Sequence, residues 1–141
     1  HILIRTELEI ELIEGNLKAK DLPFEWNKKY KKLLGVEPSN DAEGCLQDVH
    51  WSEGAFGYFP SYLIGHLISA QLTHQLEKDI GMIDQLIEKN DYQTIINWLK
   101  KNVHCHGRSL NAMELVKKVS GNELSPKYFL DYLKYKIVES N

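Results

Sequence analysis

The chain has 141 residues, 43% of them hydrophobic and 26% charged, a balance that fits one compact domain with a buried core and argues against disorder. Seventeen Lys and Arg against 20 Asp and Glu give a net charge of -3, so no overall basic field would recruit nucleic acid or an anionic membrane. No apolar run could span a bilayer, no signal-peptide pattern opens the chain, and Cys45 and Cys105 lack CxxC spacing. These features predict a cytoplasmic protein with neither nucleic acid nor a membrane as partner.

Helical periodicity begins with the first residues. Apolar side chains recur every four positions and predict a first helix that stops at Gly15: Ile4, Leu8 and Leu12. No capping residue precedes this pattern, which is typical of a helix cut through its middle, so we expect the helix to start before His1. On the same helix, Arg5 is expected to pair with Glu9 along the helix face.

The next part of the chain alternates between helix and loop. A second helix is predicted from Asp21 to Leu34, where Gly35 ends it. Residues 35–59 lack sustained periodicity and are rich in glycine, and a loop this long in a compact domain is usually functional. Pro60 suits the first turn of a long helix, whose apolar stripe steps by four: Ile64, Ile68, Leu72, Leu76 and Ile80.

Helical patterns continue beyond Gly81 to the end of the chain. Apolar spacing predicts helices over 82–87 and 92–103, and Asn111 with Glu114 forms a capping-box pattern for a helix that Gly121 ends. Ser125-Pro126 opens a last helix with four residues expected to face inward: Phe129, Leu130, Leu133 and Ile137. Because no period-2 run supports a strand, the prediction is an all-α fold, with residues 1–141 forming a single helical domain.

The chemically informative stretch is GCLQDVHWSEGAFGYFPSY, from Gly44 to Tyr62. His50 and the phenols of Tyr58 and Tyr62 can each donate a hydrogen bond to a developing oxyanion, and Asp48 could hold the imidazole in one tautomer. Such donors suit acyl transfer or peptide hydrolysis. A packed aromatic cluster around a structural histidine would use the same residues, so chemistry alone leaves that alternative open.

This stretch resembles the GxxQDxHW motif of the Taq-type zinc metallocarboxypeptidases, followed by a segment similar to Gly-Tyr-Phe-Pro-Thr-Tyr. The motif positions are Gly44, Gln47, Asp48, His50 and Trp51, and the segment covers residues 57–62, with Ser61 in place of the usual Thr. The likeness extends over essentially the whole chain. It implies the C-terminal part of a larger helical gluzincin-type metallopeptidase, an enzyme, often homodimeric, that removes C-terminal amino acids from peptide substrates.

The resemblance also implies roles for five residues. His50 is similar in placement to the histidine that stabilises the tetrahedral intermediate in related zinc peptidases, and Tyr62 to their oxyanion-binding tyrosine. Tyr58 would lie near the substrate backbone or its terminal carboxylate. Gln47 and Asp48, also on the substrate side of the site, would orient the groups around them.

The family's zinc or cobalt site depends on an HExxH motif, which these 141 residues lack. The resemblance therefore implies that the metal ligands and the general base lie upstream of His1, and that this chain alone binds no metal and is inactive. His104 and His106 are a poor alternative, because imidazoles two residues apart at a helix end point in different directions.

Two functional interpretations follow. The first is one part of a metal-dependent carboxypeptidase whose remaining residues supply the metal. The second is a non-catalytic helical module, for dimerisation or partner binding, that is derived from or similar to such a part. An HExxH encoded directly upstream would favour the first interpretation, and a reading frame that begins at His1 would favour the second.

Overall fold

The computed structural model describes residues 1–139 and shows eight α-helices with no strand among those residues, which confirms the all-α prediction. The helices are α1 (Ile2–Ile13), α2 (Leu22–Leu34), α3 (Val49–Ser52), α4 (Phe59–Ile80), α5 (Ile83–Glu88), α6 (Tyr92–Asn102), α7 (Ala112–Ser120) and α8 (Lys127–Glu139). None of them is long and apolar enough to cross a membrane. The chain divides into two compact units, residues 1–64 and the residues from Gly65 onward, and the single domain stays a prediction.

The first unit is built on the packing of α1 against α2. Its core contains the buried side chains of Ile4, Leu8, Leu17, Trp26 and Cys45. Two residues of the predicted α1 stripe, Ile4 and Leu8, are therefore buried as expected. Lys29 of α2 adds ion pairs to Glu7 and Glu11 of α1, at 2.8 and 3.2 Å.

A proline and a glycine mark the two ends of α2. Pro23 lies in the first turn, where its missing N–H is not needed, and Gly35 ends the helix in a left-handed conformation with φ of 68°. These ends confirm the predicted boundaries of the second helix. The predicted loop over 35–59 is only partly correct, because it contains a 3-10 turn at Cys45–Gln47 and the short helix α3.

The second unit has its own buried side chains, chiefly Leu76 of α4, Trp98 of α6 and Val116 of α7. The indole Nε1 of Trp98 donates a hydrogen bond to Asp79 Oδ2 at 2.8 Å, which ties α6 to α4. The capping box predicted at the start of α7 is present: Asn111 Oδ1 accepts from the Glu114 backbone N–H, and the Glu114 carboxylate accepts from the Asn111 N–H. This unit therefore has a small core, and side chains cap the N-termini of two of its helices, α6 and α7.

The prediction for the inner face of α8 is wrong for three of its four residues. Leu130, Leu133 and Ile137 are exposed, while Phe129 is half-buried and stacks on His66 with ring centroids 5.8 Å apart. Apolar periodicity shows which residues share a helix face, but a neighbouring element must cover that face before it is buried. In the second unit α4 contacts the first turn of α8, where His74 also meets Tyr128.

One fully buried glutamine links three segments of the second unit. Gln71 of α4 donates through Nε2 to Ser120 Oγ at 2.8 Å and to the Glu123 carbonyl at 3.1 Å. Its Oε1 accepts from the backbone N–H of Ser125 at 2.9 Å. The side chain thus satisfies backbone groups in the connection between α7 and α8, where no helix supplies partners.

We expect Gln71→Leu to lower the free energy of unfolding of the second unit by about 1–3 kcal/mol, because it leaves partly buried backbone groups without their partner. Urea denaturation monitored by circular dichroism would measure the loss. Gln75→Leu is the matched control on the same helix, since within residues 1–139 the side-chain amide of Gln75 bonds to the exposed side chain of Asp79 and to no backbone group. Equal losses for the two variants would contradict this role for Gln71.

Candidate functional site

The motif residues lie on α3 and on the turn that leads into α4. Asp48 is the N-cap of α3, and its Oδ1 accepts a hydrogen bond from the Trp51 backbone N–H at 3.0 Å. The Ser52 hydroxyl donates to the Asp48 carbonyl at 2.9 Å. A carboxylate at this position satisfies one of the free N–H groups of the first turn, which explains how four residues hold a helical turn. The cap fixes the backbone that carries His50.

A short glycine-rich turn then reverses the chain. The backbone N–H of Ala55 donates to the His50 carbonyl at 2.7 Å, and Gly57 adopts a φ of 80°. A residue with a Cβ would be strained in that left-handed conformation. Because of this turn, the start of α4 returns to α3, and Tyr58 and Tyr62 lie beside His50.

Three aromatic rings surround the His50 imidazole. Tyr58 stacks on it with centroids 5.4 Å apart, while Phe59 and Tyr62 approach at 4.9 and 5.9 Å with their ring planes steeply inclined to it. The imidazole Nε2 lies 3.4 Å from the Tyr62 hydroxyl oxygen. The structure therefore brings together three of the predicted site residues, His50, Tyr58 and Tyr62.

Both phenols of this cluster reach the surface, since Tyr58 is 49% and Tyr62 40% exposed. Partial desolvation by the surrounding side chains raises the pKa of Tyr62 above its usual value of 10.0, and the adjacent Tyr58 phenol adds to that shift. The Tyr62 hydroxyl therefore remains a proton donor throughout the neutral range. The Tyr62 hydroxyl is thus a polar group at the surface, and His50 Nε2 can accept a hydrogen bond from it or donate one, depending on the tautomer of the imidazole.

Asp48 is close to His50 but its carboxylate is bonded elsewhere. The distance from Asp48 Oδ1 to His50 Nδ1 is 3.7 Å, which is too long for a hydrogen bond. The other oxygen, Oδ2, accepts from Arg5 Nε at 2.6 Å, and the Asp48 side chain is only 1% exposed. In this structure Asp48 holds the backbone of α3 and pairs with Arg5 without bonding to the imidazole.

The expected pair between Arg5 and Glu9 is wrong. Arg5 pairs with Asp48 and donates through Nη1 to the Tyr30 hydroxyl at 2.6 Å. Glu9 accepts instead from the indole Nε1 of Trp51 at 2.9 Å. Sequence reasoning therefore missed two residues of α1 that contact the motif. The available signal was that Glu9 adjoins the apolar stripe of α1, where a carboxylate needs a specific partner.

Gln47 bonds within its own loop. Its side chain is exposed, and its amide Nε2 donates to the Ala42 carbonyl within the same loop. The 3-10 turn that carries Gln47 is closed by its backbone N–H, which donates to the Gly44 carbonyl. Gln47 thus stabilises the loop that leads to Asp48, and none of its hydrogen bonds among the described residues reaches His50.

Within residues 1–139, no three His, Cys, Asp or Glu side chains are grouped closely enough to hold a metal ion. Among the motif positions, the Asp48 carboxylate and the His50 imidazole are the two side chains that could bind a metal. The carboxylate forms an ion pair with Arg5, and the imidazole packs among aromatic rings. A zinc site needs three or four such ligands. The donor set of this cluster therefore does not fit a catalytic metal.

The sequence profile of the family described as carboxypeptidase Taq (M32) metallopeptidase matches residues 1–137. The chain is 43% identical to carboxypeptidase 1 of Bacillus subtilis and 41% identical to thermostable carboxypeptidase 1 of Pyrococcus furiosus, each over 136 residues. Those matches cover 96% of this chain but 27% of each relative, so the chain spans about a quarter of their length.

Solved structures agree with these relatives. An M32 carboxypeptidase from Deinococcus radiodurans superposes with a TM-score of 0.91 at 35% identity, over 99% of this chain and 28% of that one. Metallocarboxypeptidase 1 of Trypanosoma cruzi gives a TM-score of 0.90 at 40% identity, over 96% of this chain and 29% of that one. The helices described above are thus similar to one part of each of these larger proteins.

Proposed function

Because the chain belongs to the carboxypeptidase Taq (M32) metallopeptidase family, we propose that it supplies the oxyanion-facing part of a metallocarboxypeptidase active site. The observation that carries this proposal is the proximity of His50 Nε2 to the exposed Tyr62 hydroxyl, at 3.4 Å. When His50 Nε2 carries a proton, two donors this close can bond to one oxygen between them. A peptide carbonyl that gains negative charge during hydrolysis is such an oxygen.

Each residue of the cluster has a proposed role. His50 and Tyr62 donate to the oxyanion of the tetrahedral intermediate, where the bonds become stronger than in the bound substrate. Tyr58, stacked on the imidazole and half-exposed, contacts the substrate backbone or its terminal carboxylate. Asp48 and Gln47 hold the loop and the helix turn on which His50 lies.

The metal belongs to the remainder of the enzyme in this proposal. A zinc or cobalt ion would polarise the scissile carbonyl and activate a water molecule, with its ligands and the general base on residues outside this chain. The residues described here act on the same carbonyl from their own side by donating hydrogen bonds. The isolated chain is therefore expected to be inactive.

The complete enzyme would remove amino acids one at a time from the C-termini of peptides. It would do so in the cytoplasm, as a homodimer. The net charge of -3 gives no basic field for nucleic acid. The two free cysteines, one buried and one exposed, fit a compartment that keeps thiols reduced.

A trimming assay tests the proposed function. The complete natural polypeptide that contains these residues, loaded with zinc or cobalt, is incubated with a peptide, and mass spectrometry follows the products. Loss of single residues from the C-terminus, abolished by a chelator, is the expected result. The same peptide with an amidated C-terminus is the control. No trimming with either metal would overturn the proposal and favour the non-catalytic helical module.

A further inference from the structure

We propose that Arg5 and Glu9 of α1 are positioning residues for the candidate site, and that they hold the motif through Asp48 and Trp51. The two residues are one helical turn apart, so their side chains leave the same face of α1. Each bonds to a residue more than 40 positions later in the sequence, and these two partners flank His50. The inference rests on the proposed function for its catalytic consequence.

The surroundings of Arg5 restrict its guanidinium to one position. The group lies over the Trp26 ring at 4.6 Å and near the Phe59 ring at 5.3 Å, and it donates to Tyr30 as well as to Asp48. Planar stacking combined with donors in a fixed fork suits arginine and no other cationic residue. A rigid guanidinium fixes the Asp48 carboxylate, which in turn caps the helix turn of His50.

Glu9 is placed where a purely structural residue would be apolar. Its side chain is fully buried, and only Oε1 has a hydrogen-bond partner among the described residues, since Oε2 is buried without one. Burying a carboxylate with one partner is costly, and an apolar residue of similar size is often neutral or better for stability. The bond from Trp51 Nε1 to Glu9 is therefore explained by orientation of the Trp51 ring, which packs near Phe59 at 6.4 Å.

Arg5 and Glu9, the two anchors, hold the chain on both sides of His50. Asp48 precedes His50 by two positions and Trp51 follows it directly, so a shift of either changes the direction of the ring. A catalytic donor misplaced by about 1 Å can lose much of its effect, with turnover falling as much as 100-fold. Arg5 and Glu9 need not touch substrate to influence the reaction, because they act through these two neighbours.

A double-mutant cycle in the complete metal-loaded polypeptide tests the inference. We expect Glu9→Met to lower kcat about tenfold with KM nearly unchanged, and to have less than about a twofold effect when Trp51→Phe is already present. Glu9→Gln keeps an oxygen acceptor and should retain kcat. Arg5→Gln should also lower kcat, whereas Lys29→Met is the matched control that breaks α1 ion pairs remote from the motif.

Hydrogen–deuterium exchange of residues 45–56 supplies a readout that does not depend on catalysis. Faster exchange in Glu9→Met and Arg5→Gln, but not in Lys29→Met, supports the anchoring. Unchanged exchange, or losses of kcat from Glu9→Met and Trp51→Phe that simply multiply, overturns it. If the wild-type polypeptide trims no peptide, the proposed function fails, and the exchange data still decide whether α1 holds the motif.

Discussion

Replacing Tyr62 by Phe in the complete polypeptide is expected to reduce kcat about 100- to 1,000-fold while KM changes little, because the hydrogen bond proposed for its hydroxyl would form mainly in the transition state. The substitution removes one oxygen and keeps the ring that packs at 5.0 Å from Tyr58 and 5.9 Å from His50. Steady-state kinetics with a chromogenic peptide would measure both constants. Equal changes in binding and turnover would indicate ordinary packing by this residue.

The matched control is Tyr58→Phe, which also removes one hydroxyl from an exposed phenol of the same cluster. We expect it to affect KM more than kcat, because Tyr58 is proposed to contact bound substrate. The pH profile gives a further check on Tyr62. Since its pKa is raised above 10.0, the protonated donor is present at all lower pH values and is lost only as pH rises through that shifted pKa. Any fall in kcat caused by Tyr62 should therefore lie above pH 10 and vanish in Tyr62→Phe.

The second large effect is expected at Asp48. Asp48→Ala should lower the free energy of unfolding by about 3–5 kcal/mol, because it leaves the guanidinium of Arg5 in a mostly buried position without its carboxylate. The same change removes the N-cap of α3, where an alanine substitution typically costs about 1 kcal/mol of that loss. Guanidinium chloride denaturation followed by tryptophan fluorescence would measure the effect.

Asp48→Asn separates the two contributions. Asparagine keeps an oxygen that can cap the helix turn but removes the charge that faces Arg5. An intermediate loss of stability is therefore expected. If Asp48→Ala costs no more than Asp48→Asn, the cap contributes nothing. A loss below about 1 kcal/mol in both variants would show that the pair with Arg5 is screened like a surface ion pair.

Local features of the fold were predictable because their causes are local. Pro23 and Gly35 mark the ends of α2, and Asn111 with Glu114 starts α7, since caps and stops depend on residues within one or two turns. The exposed face of α8 was not predictable in the same way. Its apolar spacing is helical, but the sequence of one helix does not specify which neighbour covers it.

In the candidate site, too, the residues that are close in sequence were predictable and the distant contacts were not. His50, Tyr58 and Tyr62 were identified because they lie within 13 residues of one another, in a motif whose turn returns the chain on itself. Arg5 was assigned to Glu9 because helix neighbours are the simplest expectation for opposite charges. Both residues instead bond to groups 42 and 43 positions away, and only the packing of the three-dimensional core brings those groups within reach.

That long separation has a consequence for changes in chain length. The proposed anchors, Arg5 and Glu9 of α1, bond to the motif directly, so we expect the geometry at His50 to depend little on the length of the exposed chain just after Val36, which precedes the Ala42 carbonyl that Gln47 binds. Closure entropy grows only with the logarithm of loop length, and about ten residues inserted into the 43-residue span would cost roughly 0.2 kcal/mol. An insertion just after Val36 is therefore expected to leave the cluster around His50 intact, provided that both anchors are kept.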